Sequence, residues 1–173
     1  KKNYPNIILV SSGTYMDNCN PNTYTNPVGI CIDNGVLVNK KVQQGTMDGL
    51  VVVYATGGIA VSDLTEGNLT LGGKPGEKFD IRKDWDKETF IKWSEEQSAT
   101  VFQTHLLAFK NKLSIATNSS SNSRERRFLA VCKDDNGEYK HVVIQCPDVT
   151  TLYNGAKRAK EFLNTWQDLD VIF

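Results

Sequence analysis

Val101-Phe102-Gln103-Thr104-His105-Leu106-Leu107-Ala108-Phe109 is an apolar, β-prone run broken in its middle by three polar residues. Further on, Arg124-Glu125-Arg126-Arg127 leads into the apolar stretch Phe128 to Val131. A polar group inside a buried strand costs free energy unless it is partnered. Three together, with cationic side chains following in sequence, point to an anion-binding pocket. Alternation along a strand sends Gln103 and His105 to one face and Thr104 to the other. The expectation is that the Gln103 amide and the Arg126 guanidinium, carried by separate strands, converge on one hollow.

Working outward, residues 101–109 form one strand, and Asn111 turns the chain towards Leu113 to Ala116. Upstream, residues 6–10 read as a first strand, followed by a polar loop from Ser11 to Thr25. Pro27 to Ile32 reads as a strand, Asp33-Asn34-Gly35 as a hairpin turn, and Val36 to Val38 as its return. Gly49 to Ala55 and Ile59 to Leu64 bracket a second hairpin at Thr56-Gly57-Gly58. Residues 65–80 read as a loop with a short strand near Leu69 to Leu71. Asp86 is placed to cap a helix running to about Gln97, with Phe90, Ile91 and Trp93 on its apolar face. Residues 117–123 are a Ser/Asn tract, read as a loop. Phe128 to Lys133 and Lys140 to Gln145 form a hairpin across Asp134-Asp135-Asn136-Gly137. Thr150 or Thr151 opens a helix whose stripe is Leu152, Ala156, Ala159, Phe162, Leu163 and Trp166. Asp170 to Phe173 begins another strand, which reads as lacking its continuation. Many hairpins with two main helices predict an α+β fold on a mixed, largely antiparallel sheet, in one domain spanning residues 1–173 and trimmed at its end.

The composition narrows the function classes. Twenty Lys and Arg balance twenty Asp and Glu, so no general basic surface for nucleic acid is expected, and the local basic patch is 124–127. No run approaches the roughly 18 apolar residues of a membrane-spanning helix. Cys19, Cys31, Cys132 and Cys146 have no metal-site spacing, and His105 and His141 lie far apart, so neither a metal nor a cofactor is expected. The turn at 135–137 sets Cys132 opposite residues near 140 and Cys146 opposite residues near 127, too far apart for a disulfide. Gly72-Gly73-Lys74-Pro75-Gly76 is not a phosphate loop: no Lys-Ser/Thr pair follows at the needed spacing, and Pro75 removes a donor.

The order of motifs resembles the phosphodiester glycosidase family. Ser12-Gly13-Thr14-Tyr15-Met16 stands where that family has Asn-Gly-x-Phe-Phe after its first strand. Pro27-Val28-Gly29-Ile30 and Asp33-Asn34-Gly35 resemble its Pro-x-Gly strand and Asn-Gly hairpin. Phe102-Gln103-Thr104-His105-Leu106-Leu107 resembles its Phe-Gln-x-x-Pro strand. Arg126 to Val131 with Asn136-Gly137, and the helix from 151, complete the series. Ser12 replaces the family's Asn, Leu106 its Pro, and the terminal Leu-Asp-Gly-Gly is absent. The resemblance implies a hydrolase cleaving the glycosidic bond of a sugar-1-phosphodiester, in an extracytoplasmic or secreted protein. The departures leave a second reading open: a catalytically inactive relative that binds a phosphorylated glycan or a protein partner.

Such a reaction sets physical demands. Phosphate is already a good leaving group, so the site must chiefly neutralise charge, stabilise an oxocarbenium-like centre and place a water. Arg126 is the candidate phosphate ligand, because a guanidinium binds phosphate oxygens through two parallel bonds. Its other reading is a solvated arginine at a strand start. Gln103 and Thr104 are candidates for sugar hydroxyls or phosphate, and equally for bonding to nearby backbone. His105 is a candidate acid or base, or else a packed histidine. Gly13 and Thr14 are candidates for offering backbone N–H groups to an anion, and Asp17 is the available carboxylate.

Overall fold

The structure, a computed structural model, describes residues 14–16, 26–45, 47–66, 69–70, 78–117 and 122–172. In chain order its strands are β1 (Cys31–Asp33), β2 (Val36–Asn39), β3 (Gly49–Val53), β4 (Ile59–Asp63), β5 (Leu69–Thr70) and β6 (Lys78–Phe79). Helix α1 (Asp84–Glu96) precedes β7 (Thr100–Thr104), β8 (Leu106–Phe109) and β9 (Lys112–Leu113). The long hairpin β10 (Arg124–Lys133) and β11 (Tyr139–Thr150), helix α2 (Leu152–Phe162) and β12 (Gln167–Ile172) follow. The fold is α+β. One five-stranded sheet has the order β2-β1-β7-β3-β4, a second the order β11-β10-β12-β8-β9, and β5 pairs with β6. Every described pairing of named strands is antiparallel.

Two sheets replace the one expected, because the 101–109 run is two strands. The chain leaves the first sheet at Thr104 and enters the second at Leu106, with His105 at the crossing. The sheets stack, and alternation along each strand shows how. Leu50 and Val52 of β3 pack with Phe90 and Ile91 of α1, while Val51 between them packs with Leu106 and Ile172 of the second sheet. Phe128 and Ala130 of β10 pack with Leu152, Ala156 and Ala159 of α2, while Leu129 turns to the inter-sheet layer. The result is four layers: α1, first sheet, second sheet, α2. Leu50-Val51-Val52-Val53 carries that arrangement in its sequence, since an unbroken apolar run marks a strand covered on both faces.

Local sequence explains most of the elements. Asn34 (φ 48°) and Gly35 (φ 80°) both take the left-handed conformation that a tight two-residue hairpin requires. Cys132 faces Lys140 and Cys146 faces Arg126, as the turn dictates, and Cys31, Cys132 and Cys146 are free thiols. Thr151 caps α2 by accepting from the Asn154 N–H at 3.2 Å. α2 lies close on β10: a Cβ on Gly155 would stand 2.5 Å from Phe128 Cζ.

Three expectations need correction. Asp86 does not cap α1, which begins at Asp84; its carboxylate instead accepts the Asp80 N–H at 2.9 Å. Phe162 is not on the buried stripe of α2 but 75 % exposed, because Leu163 takes the core position. The strand expected over Pro27 to Ile32 begins only at Cys31. The first strand at 6–10, Cys19 and the 72–76 segment lie outside the described residues.

Asp170 of β12 gives the stack a pH dependence. Burial pushes its carboxyl up to about 6, against the pull of the Lys110 backbone N–H (2.8 Å) and ammonium; Asp168 adds to the upward push. A carboxyl raised above its unfolded value of 3.8 binds its proton more tightly in the folded state. Its stabilising contribution is therefore complete below that unfolded value and is lost as pH rises through about 6. Asp170→Asn should remove this loss, so the parent-minus-variant stability should fall by about 2 kcal/mol between about pH 4 and pH 7. Urea unfolding of both proteins across that range measures it, and parallel pH profiles would refute it.

Candidate functional site

His105 stands where the chain changes sheets, and the described polar residues of interest gather on either side of it. On one side is the short segment 14–16. The Val28 N–H donates to the Tyr15 carbonyl at 2.7 Å, and Met16 bridges to Pro27, so this segment is held beside the entry to β1. That places the Tyr15 ring edge-on to the His105 imidazole, with centroids 5.1 Å apart and planes at 78°. Thr14 is half-buried, and its hydroxyl donates to the Tyr15 carbonyl at 3.4 Å. Gly13 and Asp17 lie outside the described residues.

Arg126 reaches the same neighbourhood from β10. It is 4 % exposed and is no solvated strand-start residue. Its Nε donates to the Thr150 carbonyl at 3.2 Å and its Nη2 to the Asn122 carbonyl at 2.6 Å. Both of these acceptors are backbone carbonyls. Burial and the neighbouring Arg124 both push the Arg126 pKa down, and Tyr15 opposes them. Burial pushes the Tyr15 hydroxyl up to about 12, against the pull of Arg126 and then Arg124. Tyr15 therefore stays a neutral phenol with His105 at one side and two guanidinium charges within electrostatic reach.

Gln103 does not share this hollow. It alternates with Val101 on the α1 side of the first sheet, whereas Arg126 alternates with Phe128 on the α2 side of the second. Its amide is fully used as well. Oε1 accepts from the Ile30 and Gln43 N–H groups, both at 2.9 Å; Nε2 donates to the Gln43 and Met47 carbonyls, both at 2.9 Å. Two acceptor positions and two donors are all that an amide has. Gln103 is therefore a clasp for the 43–47 loop, and the expected convergence with Arg126 is corrected. Thr104 is fully buried and alternates with Phe102 on the inter-sheet face.

Asp48, which sequence reasoning passed over, also stands within electrostatic reach of His105. Gly49 pairs with Thr104, and a Cβ on Gly49 would lie 3.1 Å from the Thr104 carbonyl oxygen and 3.3 Å from the Leu106 nitrogen. That close approach sets Asp48 against the His105 crossing. Burial and then Asp63 push the Asp48 carboxyl up; the Gly45 N–H, His105 and Arg82 pull it down. Asp48 also lines a cavity of about 190 Å³ with Gln43, Gln44, Gly45, Leu64, Thr65 and Arg82. An acid directly before a doubly covered strand, Asp48-Gly49-Leu50, was the available sequence signal.

The grouping thus has the Tyr15 ring against the His105 imidazole, the Arg124 and Arg126 charges within electrostatic reach of Tyr15, and the Asp48 carboxylate within electrostatic reach of His105. Among the described residues, no three His, Cys, Asp or Glu side chains stand together as a metal site would need. No described helix is long and apolar enough to cross a membrane. No protein-family model and no curated protein matches the chain.

Proposed function

We propose that this chain binds a glycosyl phosphodiester at the His105 crossing and hydrolyses its glycosidic bond. The observation that carries the reading is the position of Tyr15, edge-on to His105 and within reach of the Arg124 and Arg126 charges. A phosphodiester needs its negative charge neutralised as the bond to the sugar breaks, and guanidinium groups are suited to this. Tyr15, as a neutral phenol, is a hydrogen-bond donor for a phosphate or bridging oxygen. An imidazole can hold a water and take its proton near neutral pH. The motif order resembling phosphodiester glycosidases supports the same reaction. An extracytoplasmic location belongs to this proposal, on that resemblance.

A second reading is a non-catalytic receptor for a phosphorylated glycan. It is favoured by Gln103, whose amide serves the fold and leaves the crossing with fewer groups to work on substrate.

Release of reducing sugar from a sugar-1-phosphate methyl ester tests the first reading. Arg124→Ala and Arg126→Lys should each lower turnover about 10- to 100-fold, the worth of one charge-assisted bond. His105→Gln should abolish turnover while leaving calorimetric binding of the ester within a few-fold. Binding by the parent without turnover selects the receptor. Neither binding nor turnover by the folded parent removes both.

A further inference from the structure

The cavity lined by Asp48 and Arg82 has features of a binding subsite, and its chemistry differs from that of the Arg124 and Arg126 neighbourhood. Its floor is built. The Gln43 main chain is gripped at both its N–H and its carbonyl by the buried Gln103 amide, which also holds Met47. Gly45 turns between them at φ 102° and offers its N–H to the Asp48 carboxylate. Preorganisation of this kind lowers the ordering cost of binding. Opposite, Asp80 fixes the Arg82 guanidinium through bonds of 2.8 and 3.1 Å. That uses two of the five N–H donors a guanidinium carries. Thr65 is fixed by Asp63, whose Oδ1 accepts from both its N–H and its hydroxyl at 2.8 and 2.6 Å.

Size and charge limit the occupant. The volume of about 190 Å³ is below the roughly 300 Å³ at which sites for drug-sized ligands begin, so one ring fits and a chain of rings does not. Asp48, Asp63 and Asp80 around a single Arg82 repel a phosphate. Asp48, Arg82, Thr65, Gln43 and Gln44 line one small hollow and together carry both donors and acceptors, as vicinal hydroxyls require. Asp48, which lines the cavity, is within electrostatic reach of His105.

We propose that this cavity is a neutral-sugar subsite, taking one pyranose ring by its hydroxyls on Asp48, Arg82 and the Gln43–Gly45 wall. The identification of a sugar rests on the glycosyl phosphodiester reading above. The subsite supplies that reading with its second half: the ring on the carboxylate side, the phosphate on the arginine side, and the bond between them at His105.

Amide NMR of the whole chain, titrated with glucose, mannose, galactose and N-acetylglucosamine and separately with methyl phosphate, is the test. At least one sugar should give saturable shifts of the Gln43, Gln44, Gly45 and Thr65 amides. Those shifts should weaken at least tenfold in Asp48→Asn and in Arg82→Ala and persist in Arg124→Ala. Methyl phosphate should shift Tyr15 and Arg126 and leave the 43–45 amides alone. Should either pocket variant lose its fold, Gln44→Ala, at a side chain outside the clasp, should weaken the same shifts. Absence of any sugar response overturns the subsite, as does a response that all the pocket variants retain. Sugar binding without methyl phosphate binding keeps the subsite and removes the phosphodiester reading; phosphate binding alone does the reverse.

Discussion

Gln103→Ala should destabilise the protein by roughly 3–6 kcal/mol, a large part of the 5–15 kcal/mol that holds a domain folded. The amide is fully buried and bonds to backbone at three separate places, Ile30, Gln43 and Met47. Alanine leaves those donors and acceptors without their partner, at about 1–3 kcal/mol for each one that water cannot reach. The bonds to Ile30 and Met47 are buried and count in full, whereas those to Gln43 are half-buried and count for less. The cavity left by the shortened side chain adds to the cost. Gln103→Glu separates bonding from packing. It keeps the shape and the two accepted bonds but sets an oxygen against the Gln43 and Met47 carbonyls. It should therefore be as damaging as alanine at neutral pH and recover part of the loss in mild acid, where a protonated carboxyl can donate once. Urea unfolding measures both variants, with hydrogen exchange at Gln43 as a local readout. A loss under about 1 kcal/mol for Gln103→Ala would show that the clasp is dispensable.

Gln103 also shows where the sequence can be read and where it cannot. The hairpin at Asp33-Asn34-Gly35 and the facing of Cys132 with Lys140 were legible because a turn fixes them over a few residues. The α+β class was legible for the same reason, as a sum of local signals. The bonds of Gln103 span 56 to 73 residues, and nothing near position 103 announces their partners. A polar residue in an apolar run looks the same whether it awaits a ligand or already grips distant backbone. The crossing at His105 was misread as mid-strand because either path satisfies a run of apolar residues with a polar break. Of the candidate site residues, His105 was singled out by residue type, and the structure sets it edge-on to Tyr15; Arg126, singled out likewise, lies within electrostatic reach of Tyr15. Tyr15 and Asp48 were not singled out, since their importance comes from the Val28 and Thr104 backbones that position them.

Gly29→Ala should cost about 3 kcal/mol, and part of that cost should depend on the Gln103 amide being present. Gly29 sits at φ 86°, where a side chain costs about 1–2 kcal/mol in backbone strain alone. An added Cβ would also lie 2.6 Å from Gln103 Oε1 and 2.9 Å from its Cβ, so the amide must move off the Ile30 N–H. Strain acts whatever occupies position 103, and so does the contact with a Cβ there, but the collision with the amide does not. In a Gln103→Ala background, then, Gly29→Ala should cost the strain and the remaining 2.9 Å contact with the Cβ of residue 103, and the double variant should be more stable than the sum of the singles by about 1 kcal/mol. The same glycine links the clasp to the crossing, because Ile30 on one side is held by Gln103 and Val28 on the other holds Tyr15. Displacing it should shift the His105 ring resonances, which feel the Tyr15 ring at 5.1 Å, even under conditions where the variant remains folded. Additive free energies together with unchanged His105 resonances would mean that the two sides of the crossing are built independently.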